Sequence, residues 1–356
     1  MSTFNEIFSD RLKRARIMRN LSMDALCEKI GNAVSKQAIS KYEKGESLPG
    51  SQILILLSQA LDVKPDYFFR ESQFAISNIE FRKKAKMGVK EVEAIKEEIR
   101  DNIERYLEIE DIWGCVPSFA NPVKEMLVAS EDDVYEVVKK LKDAWNIGED
   151  GILSVTDLLE SKNIKVVEIK ADSSFDGLSG YVNNDENMPF VVVNKSFDVE
   201  RLRFTGLHEL GHLVMNLPEE MEKKDKERLC NLFASEMLIS RDIFVDVLGE
   251  RRSDISLQEL KVLQAVYGIS VDALMFKAKT VGVISESKHT SFCIRKNKSL
   301  AFKDAVERSS YRGVEESSRF DRLVYRALAS DMISCSKAAV LLNEPMEEVK
   351  NKLELV

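Results

Sequence analysis

Residues 204–217 read FTGLHELGHLVMNL. Leu207, Leu210, Leu213, Val214 and Leu217 recur at three and four, the period of one buried helical face. His208, Glu209 and His212 therefore sit on a helix. The chain has three histidines, and two of them stand here at i and i+4. Residues so spaced share a face, with Cβ atoms about 6 Å apart, close enough to hold one metal ion. Glu209 is rotated off that face. It is a poor ligand but well placed to take a proton from water at the metal.

A catalytic zinc wants three protein ligands, so a third must arrive from elsewhere. Residues 227–239 read ERLCNLFASEMLI. Leu229, Phe233 and Met237 give a second helical stripe with Glu227 in its first turn. Glu227 lies fifteen positions past His212, beyond a loop containing Pro218. A neighbouring helix can return its carboxylate to the metal, with Asp225 and Glu236 as rivals on spacing alone. Cys230 is close enough to be weighed as a ligand, but a small residue on the inner helix face is expected to be inert packing. His289 stands apart; a surface or packing role is expected over oxyanion stabilisation.

Upstream, 164–168 (IKVVE) and 190–194 (FVVVN) read as strands rich in β-branched residues. Between them DGLSGYVNN reads as a strand with turns, and 130–145 as an amphipathic helix. The body is α+β, with strands preceding the helix that carries the chemistry.

The amino-terminal end has another pattern. Phe8, Leu12 and Ala15 mark a first amphipathic helix. Ser22 caps a second with Ala25, Leu26 and Ile30, and Gly31 ends it. A third begins near Ser35 and stops at Lys44-Gly45. Pro49 precedes a fourth with Ile53, Leu54, Leu57 and Leu61. Two short helices joined by a tight turn form a helix-turn-helix unit. The first turn of its second helix would meet base edges through Lys36, Gln37, Ser40 and Lys41. Arg11, Arg14 and Lys44 are read as phosphate contacts.

Charge supports that division. The 356 residues carry a net charge of −8. Between Phe8 and Lys44 there are nine Lys/Arg against four Asp/Glu, a balance of +5 that leaves −13 for the rest. A basic end on an acidic body points to a local nucleic-acid contact, not a general coat. The longest apolar runs are too short to span a membrane, and the start lacks a signal-peptide core. Five scattered cysteines without a CxxC pair suggest neither a disulfide nor a zinc-finger framework. A reduced, cytoplasmic protein is expected.

Between these parts, residues 79–112 are dense in charge. Val89, Val92, Ile95, Ile99, Ile103, Tyr106, Leu107 and Ile109 predict one long helix, a spacer or a dimer seam. Residues 318–342 read as helical, with Arg319, Arg322 and Arg326 on a solvated face or against a partner.

Two stretches carry family resemblances. SKQAISKYEKGESLP resembles the recognition segment of phage-repressor-like (XRE-type) helix-turn-helix regulators, across most of 8–70. That implies a lambda-repressor-like all-α domain, a double-stranded DNA operator and a homodimer on two half-sites. FTGLHELGHL with E-x-x-C-N-L-F-A-S-E-M-L is similar to the ImmA/IrrE metallopeptidase family, across about 130–290. That implies a mainly helical zincin-like domain with a small β-sheet. By that match His208, His212 and Glu227 hold Zn2+ and Glu209 is the general base for peptide hydrolysis. Cys230 replaces the usual alanine and Ser240 the usual proline.

The expected organisation is a DNA-binding domain over 1–72, a helical linker over 73–129, a metallopeptidase-like domain over 130–290 and a helical region over 291–356. The implied function is a DNA-binding regulator with a zinc peptidase attached, controlling a phage, mobile-element or stress response by cleaving a protein substrate. The alternative is an antitoxin or repressor with a toxin partner, whose zinc domain senses or binds without catalysis. An intact Glu209 favours activity, since a structural site needs no base.

Overall fold

The computed structural model describes residues 4–70, 88–114, 118–182 and 188–353. The start of the predicted long helix (79–87), the expected boundary at 72/73, Cys115 and Pro117 lie outside the described residues. The chain is an α+β multidomain protein that divides at 117/118 and 317/318 into two compact units.

The first unit opens with α1 (Phe4–Met18), α2 (Met23–Lys29), α3 (Lys36–Glu43) and α4 (Ser51–Leu61), followed by a 3-10 turn at Pro65–Phe69. Short-range chemistry sets these boundaries. The Ser22 side chain accepts the Ala25 N–H and the Ser35 side chain accepts the Ala38 N–H, each satisfying an otherwise orphaned donor. Gly31 and Gly45 close α2 and α3 with φ of +67° and +71°, which glycine adopts without Cβ strain. Phe8, Leu12, Leu26, Ile39, Leu57, Leu61 and Phe68 form the core.

A long helix, α5 (Val89–Ile112), belongs to the same unit. Its apolar stripe is no free dimer seam. Ile99, Ile103, Tyr106, Leu107 and Ile109 are fully or almost fully buried. The covering partners are α1 and, from the far end of the chain, α15 (Arg319–Ala329). Ile109 shares one apolar cluster with Val324, Ala327, Leu341 and Val349.

The second unit holds α6 (Glu131–Trp145), α7 (Val155–Ser161), β1 (Lys165–Ile169), β2 (Gly177–Tyr181), β3 (Pro189–Asn194), α8 (Val199–Val214) and α9 (Lys223–Leu238). After them come α10 (Arg241–Leu248), α11 (Leu257–Tyr267), α12 (Val271–Thr280), α13 (Glu286–Lys298) and α14 (Leu300–Glu307). The sheet order is β1-β3-β2, with β1 parallel and β2 antiparallel to β3. Every β3 residue is buried, as expected of a central strand covered on both faces. Helix α8 packs on β2, β3 and α9.

The extended stretch after α14 stays with this unit, so the unit ends at 317 and not near 290. Arg203, buried in α8, pairs with Glu315 at 2.5 Å. Glu315 also accepts the N–H groups of Val155 and Thr156, filling the anion-favouring start of α7.

Past that point the chain rejoins the first unit as α15, α16 (Cys335–Leu342) and α17 (Met346–Leu353). The arginines read as a solvated face are partly used here. Arg319 donates to the Tyr106 hydroxyl and the Glu110 carboxylate, and Arg326 lies 4.5 Å over the Trp113 ring. Among the described residues no helix is long and apolar enough to cross a membrane.

Candidate functional site

Helix α8 places His208 and His212 one turn apart, with Leu207, Leu210, Leu213 and Val214 buried behind them. Gly211 lets α9 come close. A Cβ there would stand 3.1 Å from the Phe233 ring, which would have to give by a few tenths of an ångström in a close-packed interior.

Across that contact Glu227 reaches the histidines. Its Oε2 lies 3.2 Å from His208 Nε2 and 3.7 Å from His212 Nε2, and the two Nε2 atoms are 3.1 Å apart. Among the described residues, His208, His212 and Glu227 form the one group of three His, Cys, Asp or Glu side chains with donors mutually within 4.8 Å. Hydrogen bonds from the two imidazoles hold the Glu227 carboxyl far below the usual range.

The rivals are elsewhere. Asp225 faces Arg228 at 3.6 Å. Glu236 is buried, accepting Lys277 Nζ at 2.6 Å and the Arg241 N–H at 2.7 Å, so it ties α9 to α12. His289, on α13, meets the Phe276 ring edge-on at 6.0 Å. Ser240 in place of proline is the N-cap of α10, accepting from Ile243.

Glu209 stays outside the three-residue group. It is buried, and its Oε2 accepts from Ser179 Oγ at 2.7 Å. Alternation along β2 turns Gly177, Ser179 and Tyr181 toward α8. Tyr181 donates to the Leu213 carbonyl. A Cβ on Gly177 would lie 2.6 Å from both Thr205 Cγ2 and the Val192 carbonyl oxygen. Glycine there is what lets β2 reach the glutamate.

Sequence reading missed two neighbours of the predicted residues, Ser179 and Asn231, and did not foresee the contact made by Cys230. Besides Ser179, Asn231 Oδ1 lies 2.9 Å from His208 Nδ1, and Cys230 Sγ lies 3.2 Å from His212 Nδ1. Cys230, expected as inert packing, is buried as expected and lies against the ring of His212. The i+3 and i+4 offsets from Glu227 were the available signal for both residues.

In the first unit, Lys36, Gln37, Lys41 and Lys44 are exposed and Ser40 is half-buried. They lie on α3 and its C-cap. Lys36 pairs with Asp24 at 2.7 Å, with both side chains more than half exposed. Arg14 and Arg11 do not join them. Arg14 is 7% exposed and Arg11 1% exposed. Arg14 binds Glu97 at 2.9 Å and Glu104 at 2.8 Å, and Arg11 binds Glu104 at 2.6 Å. The reading of Arg14 as a phosphate contact is therefore corrected. Its burial works against its charge, but Glu104 and Glu97 hold it firmly protonated.

Two family models match the chain, a helix-turn-helix over residues 12–68 and an IrrE N-terminal-like domain over 159–279. The uncharacterized HTH-type transcriptional regulators y4aM and y4wC of Sinorhizobium fredii are similar at the amino-terminal end. They are 43% identical over 61 residues and 40% over 62. Each alignment covers 17% of this chain and 41% or 42% of the relative. The chain thus spans about two fifths of the length of the curated relatives it matches.

Proposed function

We propose that this chain is a DNA-binding transcription regulator with a zinc-dependent peptidase centre in its IrrE-like domain. The chain carries both a helix-turn-helix domain and that second domain. The observation that supports a metal centre best is the convergence of His208 Nε2, His212 Nε2 and Glu227 Oε2 from two helices.

The donor set fits zinc. Two imidazole nitrogens and one carboxylate oxygen are a borderline-soft N2O set, as catalytic zinc sites use. His208, His212 and Glu227 would hold the ion. Zinc there supplies Lewis acidity, polarising a scissile carbonyl and making water more acidic.

The chain's own residues handle the proton. Ser179 fixes Oε2 of Glu209, and Oε1 is then the oxygen that takes a proton and returns it to the leaving amine. Base recognition belongs to Lys36, Gln37, Ser40 and Lys41 on α3, with Lys44 for phosphate. Two half-sites call for two copies of α3, hence a homodimer on duplex DNA. The substrate class is a protein.

Elemental analysis of the purified full chain tests the centre. The expected content is about one zinc per chain, lost in His208→Ala and Glu227→Gln. Full retention by Glu227→Gln would remove Glu227 from the ligand set, and a wild-type chain that takes up no zinc would end the reading.

A further inference from the structure

We infer that Cys230 and Asn231, consecutive on α9, are positioning residues that set the proton and the orientation of the two histidine rings. The inference rests on the metal reading above.

A neutral imidazole carries one proton, and a ring that offers Nε2 to a metal must carry it on Nδ1. Each ring then needs an acceptor at Nδ1 to fix its plane. Asn231 Oδ1 stands 2.9 Å from His208 Nδ1, and Cys230 Sγ stands 3.2 Å from His212 Nδ1. The amide oxygen is an acceptor only, and sulfur accepts weakly. Glu227, Cys230 and Asn231 fall at i, i+3 and i+4, so one face of α9 meets both histidines. One turn of helix thus offers a carboxylate to the Nε2 side and two acceptors to the Nδ1 side.

A ligand role for Cys230 is the competing assignment, and the geometry speaks against it. The sulfur meets Nδ1 of His212, the nitrogen opposite the converging Nε2 atoms, and it is outside the group of mutually close donors. Cys230 is wholly buried and His212 nearly so, with a side chain 3% exposed. Bulk water therefore has little access to take over the sulfur's contact.

Zinc affinity, measured on the full chain by competition with a chromogenic chelator, tests the inference. Asn231→Ala and Cys230→Ala should each raise the Kd about 10- to 100-fold. Asn231→Asp and Cys230→Ser, which restore an acceptor, should recover most of the loss. A second readout follows ring protons directly. The chain has three histidines, so long-range 1H–15N correlation separates their rings. The zinc-loaded wild type should show Nδ1–H protons at His208 and His212 that exchange slowly, and each alanine variant should speed exchange at its own ring.

Zinc-binding alanine variants with unchanged Kd and exchange would overturn the inference and leave the metal reading intact. A wild type that binds no zinc overturns both. Asn231 is exposed, so its variants keep the test decisive if Cys230→Ala fails to fold.

Discussion

At the scale of single residues, equal charges have unequal uses. Arg14 and Lys44 both belong to the basic end of the chain. Lys44 is exposed, whereas the Arg14 guanidinium is held between Glu97 and Glu104. Lys44→Ala is expected to weaken DNA binding on all sequences alike and to lower the salt slope by about 1. Arg14→Ala is expected to lower the melting temperature while leaving that slope unchanged in the folded protein. Gln37 carries no charge and stands exposed in the first turn of α3. Its amide can bond adenine at two points, so Gln37→Ala should cost about 1–3 kcal/mol on the cognate operator and little on random DNA. Binding titrations on both sequences at several salt concentrations check all three. Equal losses on the two sequences would show that Gln37 reads no base.

Elements are joined by groups far apart in sequence. Helix α5 is braced to α1 by Arg11 and Arg14 against Glu104 and Glu97, and to the end of the 3-10 turn by Arg70 against Asp101. Burial opposes the charge on Glu104, but Arg11 and Arg14 outweigh it and hold the carboxyl below its usual range. A depressed folded-state value means that the stabilisation is complete above the ordinary carboxylate range. It is lost as pH falls through the folded value. Glu104→Gln is expected to destabilise by about 3–5 kcal/mol, the cost of leaving buried guanidinium groups short of a partner. It should also flatten the decline in melting temperature below about pH 4. Chemical denaturation at pH 7 and pH 3 measures both, and a variant as acid-sensitive as wild type would show that Glu104 is not the titrating group. This brace also marks where sequence reading stops. The caps of α2 and α3, the HELGH helix and the three strands are set by neighbours within a few positions, so periodicity and cap residues found them. Glu104 lies 93 positions from Arg11, and Ser179 lies 30 from Glu209. No local pattern pairs such residues. For the same reason α5 read as a spacer or a dimer seam. Its cover, α15, comes more than 200 positions later.

For the whole molecule, one chain joins a helix-turn-helix unit to a second unit with a three-donor centre, and the question is whether that centre turns over. Glu209 separates the possibilities, because it lies outside the three-donor group and bonds to Ser179 instead. Glu209→Gln keeps the shape of the side chain and can still accept from Ser179, so zinc content and operator affinity should match wild type. Peptide cleavage should fall by orders of magnitude as the proton acceptor is lost. In cells, a regulator relieved by proteolysis would then stay locked in its repressed state. His208→Ala instead removes a donor from the centre itself, so it should disturb a catalytic and a purely sensing domain alike. Reporter output from the native promoter, read for wild type, Glu209→Gln and His208→Ala under the inducing condition, distinguishes these cases. Locked repression in Glu209→Gln supports the peptidase. Glu209→Gln that tracks wild type while His208→Ala departs from it would sink the enzyme reading and leave a metal-dependent sensor or toxin-binding module.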